Sequence, residues 1–211
     1  VTFPFMNLAA AFGSLVGVGA STMVSVKLGQ KDYTTARKVL GNVVALNTII
    51  GIAFMTISLI FLDKILLFFG ASENTLSYAR DYMEIILYGN VVTHMYLGLN
   101  AVMRSSGHPQ KAMAMTIMTV ILNAILDPIF IFGLDMGVAG ASLATAISKW
   151  VSFAILIYPY LTRHSMLHLS IRNFHFCWDI ISNVVAVGSS SMFRSALAVV
   201  AGILLNDLAG N

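Results

Sequence analysis

Charge is scarce in this chain of 211 residues. Only 10% of the residues are Asp, Glu, Lys or Arg, whereas 58% are hydrophobic; an ordinary soluble domain has about 25% charged residues. The mean hydropathy is +0.84. Because a soluble chain of this size needs more polar surface, the composition excludes a typical cytosolic enzyme, a nucleic-acid-binding domain and a disordered chain. We interpret the chain as an integral membrane protein.

Cysteine and the common catalytic motifs are also scarce. Cys177 is the single cysteine, so neither an internal disulfide nor a thiolate metal cluster can form. The H-E-x-x-H, G-x-S-x-G and Walker A patterns do not occur, and we therefore expect no enzymatic activity and no cofactor. No basic segment precedes the first apolar run, so we predict no cleavable signal peptide. Both ends fall within apolar stretches, and we expect the chain to be a fragment.

Long apolar runs dominate what is present. A membrane-spanning helix needs about 20 mostly apolar residues, and the runs do not alternate in polarity as barrel strands do. The six candidate runs are 3–26, 40–62, 82–103, 112–133, 138–161 and 187–209. The sequence thus predicts an all-α, polytopic membrane protein with about six transmembrane helices.

The charged connectors predict the orientation of these helices. Lys and Arg concentrate in the first, third and fifth connectors, 27–39, 104–111 and 162–179, which the positive-inside rule places in the cytoplasm. The basic residues are Lys27, Lys31, Arg37, Lys38, Arg104, Lys111, Arg163 and Arg172, with His108, His164, His168 and His175. Segment 178–187 is amphipathic, and we keep two interpretations of it: an interfacial helix or the start of the last span.

An acidic residue lies inside the fourth run. Asp127 is about six residues from the outer end, or about 9 Å deep, where a charge costs about 2.5–3.5 kcal/mol on insertion scales. Asn123 lies four residues earlier on the same face, and Pro128 cannot donate to the Ala124 carbonyl. One helix face therefore gathers oxygen atoms that suit a hard cation or a proton.

The next run returns from the outside and brings a hydroxyl to the same depth. Thr145 follows Gly137 and Ala141 at intervals of four, and such small residues allow close approach of two helices. We predict a polar cluster of Asn123, Asp127, Thr145 and the Ala141 backbone carbonyl. We expect no basic residue nearby, which favours a cation or proton site. The alternative is a structural hydrogen-bond cluster that only joins two helices.

Three further features of the runs have a structural and a functional interpretation. Arg194 in the last run can extend toward the interface or bind a helix carbonyl. His94 in the third run is either a satisfied core residue or a proton relay. A ladder of small residues in the first run, which predicts close helix packing, comprises Ala9, Gly13, Gly17 and Ser21.

The chain resembles the multidrug and toxic compound extrusion (MATE) transporters over nearly its whole length. The stretches that carry the resemblance are Gly13-Ser-Leu-Val-Gly-Val-Gly-Ala-Ser with Leu28-Gly-Gln-Lys-Asp, Met103-Arg-Ser-Ser-Gly-His-Pro, Leu122-Asn through Asp127-Pro-Ile-Phe, Gly137-Val-Ala-Gly-Ala-Ser-Leu-Ala-Thr, and Met192-Phe-Arg. The resemblance implies the N-lobe of a twelve-helix fold with two lobes. Residues 1–162 would be helices two to six, 163–187 a cytoplasmic connector and 188–211 helix seven.

The resemblance also implies a function. Prokaryotic members have a cation site whose Asn-Asp-Thr pattern matches Asn123, Asp127 and Thr145, with a backbone ligand at Ala141. We expect a plasma-membrane antiporter, monomeric when full length and surrounded by lipid, that exports amphipathic organic cations in exchange for Na⁺ or H⁺. We expect no nucleic-acid partner. A lipid-linked saccharide flippase of the same wider fold ranks lower, because only Arg194 supplies an interior basic residue. A channel or scaffold ranks below both.

Overall fold

The computed structural model describes residues 2–162, 167–169 and 176–209. The described residues form helices and connecting turns, which confirms the all-α prediction. The helices in chain order are α1 (Thr2–Gly29), α2 (Tyr33–Ile60), α3 (Leu62–Phe68), α4 (Glu73–Tyr88), α5 (Asn90–Ser105), α6 (Pro109–Pro128), a π-helical turn (Ile129–Gly133), α7 (Gly137–Leu161) and α8 (Trp178–Ala209). They pack as one helical bundle in which α1 contacts α2, α5 and α8.

The helices extend beyond the apolar runs into the charged connectors. The first connector shrinks from the predicted 27–39 to residues 30–32, because Asp32 starts α2 by accepting a hydrogen bond from the Thr35 backbone N–H at 3.0 Å. Lys31 has φ 58°, which reverses the chain between the two helices. The helices α1 and α2 therefore extend into the predicted connector 27–39, and the placement of that connector in the cytoplasm stays a prediction.

The third predicted span is bent and consists of two helices, α4 and α5. The axes of residues 75–88 and 90–105 differ by 52°, and the break falls at Gly89, where a glycine weakens the helix. A Cβ on Gly89 would lie 3.6 Å from the Ala146 side chain and 3.7 Å from Trp150 Nε1. The break thus lies directly against α7. The predicted span 82–103 therefore includes a bend that sequence analysis did not predict.

Close helix contacts in the first half of the chain depend on glycine. Gly17 of the predicted ladder packs against Ala101 of α5, as expected. The tightest crossing lies outside that ladder: a Cβ on Gly19 would collide with the Val184 carbonyl of α8, and one on Gly188 would collide with the Leu15 carbonyl of α1. The backbones of α1 and α8 therefore touch directly.

Helix α8 runs continuously from Trp178, so segment 178–187 is the start of the last helix and not a separate interfacial helix. Four helices are long and apolar enough to cross a membrane, or five when the bent α4–α5 pair counts as one span. Most side chains beyond residue 198 fall outside the described part, so that count does not test the sixth span. Four basic residues of the predicted fifth connector also lie outside the described residues: Arg163, His164, Arg172 and His175.

Candidate cation site

The structure brings the predicted residues of α6 and α7 together. The Asn123 Nδ2 donates to Asp127 Oδ1 at 3.0 Å and approaches Thr145 Oγ1 at 3.4 Å. The Thr145 hydroxyl in turn donates to the Ala141 carbonyl at 3.0 Å. One amide nitrogen therefore links a carboxylate on one helix to a hydroxyl on the next. We call these four residues the Asp127 cluster.

Helical periodicity explains the geometry within each helix. Asn123 and Asp127 are four residues apart on α6, as are Ala141 and Thr145 on α7, so each pair shares one face. The close approach of the two helices has a different origin from the one predicted. Gly137 has no heavy atom within 4 Å of a built Cβ, and its φ of +54° serves the turn before α7. It is Gly140 that packs against the Phe130 carbonyl in the π-helical turn.

The oxygen atoms of the Asp127 cluster suit a small monovalent cation or a proton. A hard cation prefers carboxylate, carbonyl and hydroxyl oxygens, all of which occur here. A site for a multivalent metal usually needs more than one acidic ligand, and no group of three His, Cys, Asp or Glu side chains exists among the described residues. The single negative charge of Asp127 matches a single positive charge.

The cluster lies at a thinly covered side of the bundle. Asp127, Asn123 and Thr145 are all half-buried, and Ala112 is the single buried residue of α6 among those described. The large side chains of the outer half of α6 are exposed, including Ile121 and Ile125. The carboxylate itself is partly exposed in this chain.

The two further candidates do not join the cluster. His94 is fully buried in α5, where its Nδ1 donates to the Asn90 carbonyl at 2.9 Å. Arg194 is exposed on α8 and has no hydrogen-bond or ion-pair partner within the described part of the chain. Neither residue hydrogen-bonds to Asp127, Asn123 or Thr145.

Sequence analysis missed a basic residue in α7. Lys149 follows Thr145 by four residues, so it lies one turn deeper on the same helix face. It makes no ion pair with Asp127 within 4.0 Å. The expectation that no basic residue lies near the carboxylate stays a prediction, since among the described residues Asp127 has no ion-pair partner within 4.0 Å. The sequence alone could have identified this residue, because Lys149 is the lone basic residue inside the apolar run 138–161.

The long apolar helices and the intramembrane polar cluster define a multi-pass α-helical protein of the cell membrane. Comparison with known proteins identifies its family. The model of the MatE family matches residues 1–129, and the chain belongs to this family.

Relatives and solved structures agree with this assignment. The multidrug export protein MepA of Staphylococcus haemolyticus is 30% identical over 206 residues, which cover 98% of this chain and 46% of that protein. Inward-facing and outward-facing structures of a multidrug resistance MATE family transporter match with TM-scores of 0.93 and 0.92 at 27% identity. They cover 99% and 98% of this chain, and 48% and 46% of theirs. The chain thus spans about half the length of the proteins that it matches, which are transporters rather than enzymes.

Proposed function

We propose that this chain belongs to a secondary multidrug efflux antiporter that exports amphipathic organic cations, and that Asp127 binds the coupling Na⁺ or H⁺. The observation that carries the proposal is the Asp127 cluster: a carboxylate within a spanning helix, bonded to an amide that reaches the hydroxyl of the next helix. Intramembrane carboxylates of this kind mark ion and proton pathways. The name of the MepA relative supports multidrug export as the transport activity.

The cluster suggests how binding is coupled to movement. Asn123 Nδ2 is shared between Asp127 and Thr145. A cation, or a proton on the carboxylate, removes the negative charge that holds the Asn123 amide. The packing of α6 against α7 then changes. Coupling requires only that the ion and the organic cation prefer different conformations of the protein.

Alternating access would occur by movement of the lobe as a unit. The chain superimposes nearly equally well on inward-facing and outward-facing structures, with TM-scores of 0.93 and 0.92. A lobe that keeps its internal fold in both states supports rigid-body rocking against the remainder of the transporter.

The test uses the full-length transporter in proteoliposomes with an imposed Na⁺ gradient or pH gradient. We expect Asp127→Asn to reduce gradient-driven efflux of a cationic dye at least about tenfold, a change of about 1.4 kcal/mol. Asp135→Asn is the matched control, because Asp135 is an exposed acid in the turn between α6 and α7. The gradient that drives wild-type efflux identifies the coupling ion.

Undiminished gradient-driven efflux by Asp127→Asn would remove this residue from the mechanism. The experiment also separates the alternatives. A flippase for lipid-linked saccharides would give no gradient-driven dye efflux, and a channel would conduct without any requirement for the Asp127 charge.

A further inference from the structure

Three hydroxyl groups meet where α5, α6 and α7 come together, closer to the start of α6 than the Asp127 cluster is. Thr119 Oγ1 of α6 lies 2.7 Å from Ser152 Oγ of α7 and 3.3 Å from the Tyr96 hydroxyl of α5. Ser152 is fully buried and Tyr96 is nearly so. We call these three residues the hydroxyl triad.

The triad lies on the same helix faces as the Asp127 cluster. Thr119 precedes Asn123 by four residues on α6, so the two side chains share one face. Ser152 follows Thr145 by seven residues, or two turns, on one face of α7. The two helices are therefore bridged twice in succession along the same pair of faces.

The two bridges differ in length. Thr119 and Ser152 are at the usual distance of a hydroxyl–hydroxyl hydrogen bond, 2.7 Å. Asn123 and Thr145 are 3.4 Å apart, which is longer than the usual N–H···O range of about 2.7–3.2 Å. A contact of that length is too weak to fix the separation of two helices. Its neighbours set the separation instead: the Thr119 bond on one side and the close packing of Gly140 on the other.

The Thr119 hydroxyl can serve several groups at once, because it carries one hydrogen and two lone pairs. Besides the triad, it lies 2.8 Å from the Met115 carbonyl of its own helix. Donation to this carbonyl leaves both lone pairs to accept the O–H groups of Ser152 and Tyr96. Valine has nearly the shape of threonine but would remove all three contacts, whereas serine would keep them.

We propose that Thr119 is a positioning residue for the coupling cation. Its bond to Ser152 holds α6 at the distance from α7 at which the Asn123 amide reaches Thr145. The cation affinity of the Asp127 cluster depends on this distance. Thr119 itself does not touch the cation, since it lies about 12 Å along α6 from Asp127. This role rests on the proposed function, because it requires Asp127 to bind the cation.

The experiment measures dye efflux by the full-length transporter in proteoliposomes against the concentration of the driving cation, with Na⁺ varied in one series and H⁺ in the other. We expect Thr119→Val to raise the half-maximal concentration about tenfold and to keep the maximal rate within about twofold, the effect of one lost hydrogen bond. Ser152→Ala removes the same bond from α7 and should act alike. Thr119→Ser should behave as the wild type does.

The two readouts separate positioning from stability. A loss of folded protein would lower the maximal rate and leave the half-maximal concentration unchanged. Ser148→Ala is the matched control, because Ser148 is as buried as Ser152 on the same helix. Its hydroxyl donates to the Ala144 carbonyl of α7 itself, at 2.7 Å. The control should therefore keep the wild-type half-maximal concentration.

A double variant tests whether Thr119 acts through the Asp127 cluster. Thr119→Val combined with Thr145→Val should shift the half-maximal concentration no further than either change alone, because both changes break the contact of Thr145 with Asn123. Residues that act independently would instead give additive free energies, a shift of about a hundredfold.

Three results would overturn the proposal: a wild-type half-maximal concentration in Thr119→Val or Ser152→Ala, an equal shift in Ser148→Ala, or additive shifts in the double variant. Asp127→Asn distinguishes them from a failure of the proposed function. Undiminished efflux by Asp127→Asn removes the cation site and the role of Thr119 with it. Lost efflux in that variant, together with an unshifted Thr119→Val, contradicts the positioning role alone.

Discussion

Gly140 of α7 lies directly against the carbonyl of Phe130 in the π-helical turn that follows Pro128. A Cβ built on Gly140 would be 2.7 Å from the Phe130 oxygen, a distance that real side chains do not tolerate. This contact sets the separation of α6 and α7 one turn from Thr145. The geometry of the Asp127 cluster therefore depends on a residue that is not part of it.

Replacing this glycine should disturb both packing and ion binding. We expect Gly140→Ala to destabilise the protein by about 1–3 kcal/mol, the usual cost of overpacking, and to weaken cation affinity because Thr145 moves away from Asn123. Thermal unfolding and ion-binding measurements on the full-length transporter test both effects. Gly133→Ala is the control, since its Cβ would meet no heavy atom closer than 4.0 Å. Equal behaviour of the two variants would contradict the packing argument.

The hydroxyl of Thr145 should matter more than its methyl group. Thr145 Oγ1 is 3.4 Å from Asn123 Nδ2 and bonds to the Ala141 carbonyl. We expect Thr145→Val, which keeps the shape and removes the oxygen, to lower the affinity for the coupling cation about tenfold, or about 1.4 kcal/mol. Thr145→Ser keeps the oxygen and should remain within about twofold of the wild type. Comparable affinities for the Val and Ser variants would exclude Thr145 as a ligand.

The α1–α8 crossing should be the least tolerant packing contact in the chain. A methyl group on Gly188 would collide with the Leu15 carbonyl, so we expect Gly188→Ala to lower the free energy of unfolding by about 1–3 kcal/mol. Gly29→Ala, at the end of α1, meets no heavy atom within 4 Å and should cause no loss, because alanine favours a helix. Thermal unfolding in detergent distinguishes them. A tolerated Gly188→Ala would mean that α8 moves away from α1 at no cost.

The start of α2 should be sensitive to acid. Hydrogen bonds from Thr35, with a smaller effect of Lys27 and Lys38, hold the pKa of the Asp32 carboxyl below its usual value of 3.8. Because the folded pKa is depressed, this cap stabilises α2 above pH 3.8 and loses its effect as the pH falls through the folded value. The amide resonance of Thr35 should report the transition in an NMR titration. Asp32→Asn caps the helix without titrating and should show no such transition.

The sequence was sufficient to predict the Asp127 cluster because the geometry of the cluster follows from the spacing of its residues along the two helices. A spacing of four places Asn123 and Asp127 on one face, and equal depth from the outer turn pairs them with Thr145. Whether the cluster binds a cation stays a prediction. The break at Gly89 could not be predicted with the same ease, since no proline marks it and a single glycine inside an apolar run does not always break a helix.

Lys149 and Gly140 were missed for different reasons. Lys149 lies within a run whose mean polarity is low, and a single lysine does not prevent such a run from being predicted as a membrane span. Gly140 differs from Gly137 only by its position on the helix. Which of the two glycines makes the close contact depends on where the π-helical turn places the Phe130 carbonyl. A π-helical turn changes the register of backbone groups in a way that a regular 3.6-residue period does not include.

The contact of α1 with α8 through Gly19 and Gly188 has a mechanical consequence. Two helices that meet through interlocking side chains can change their crossing angle only if those side chains repack. At this crossing the main chains themselves are in contact, so the two helices cannot move closer together here. Side chains of both helices, among them Leu15 and Val184, belong to the same core cluster, so a change of the crossing angle would also require repacking on either side of the contact.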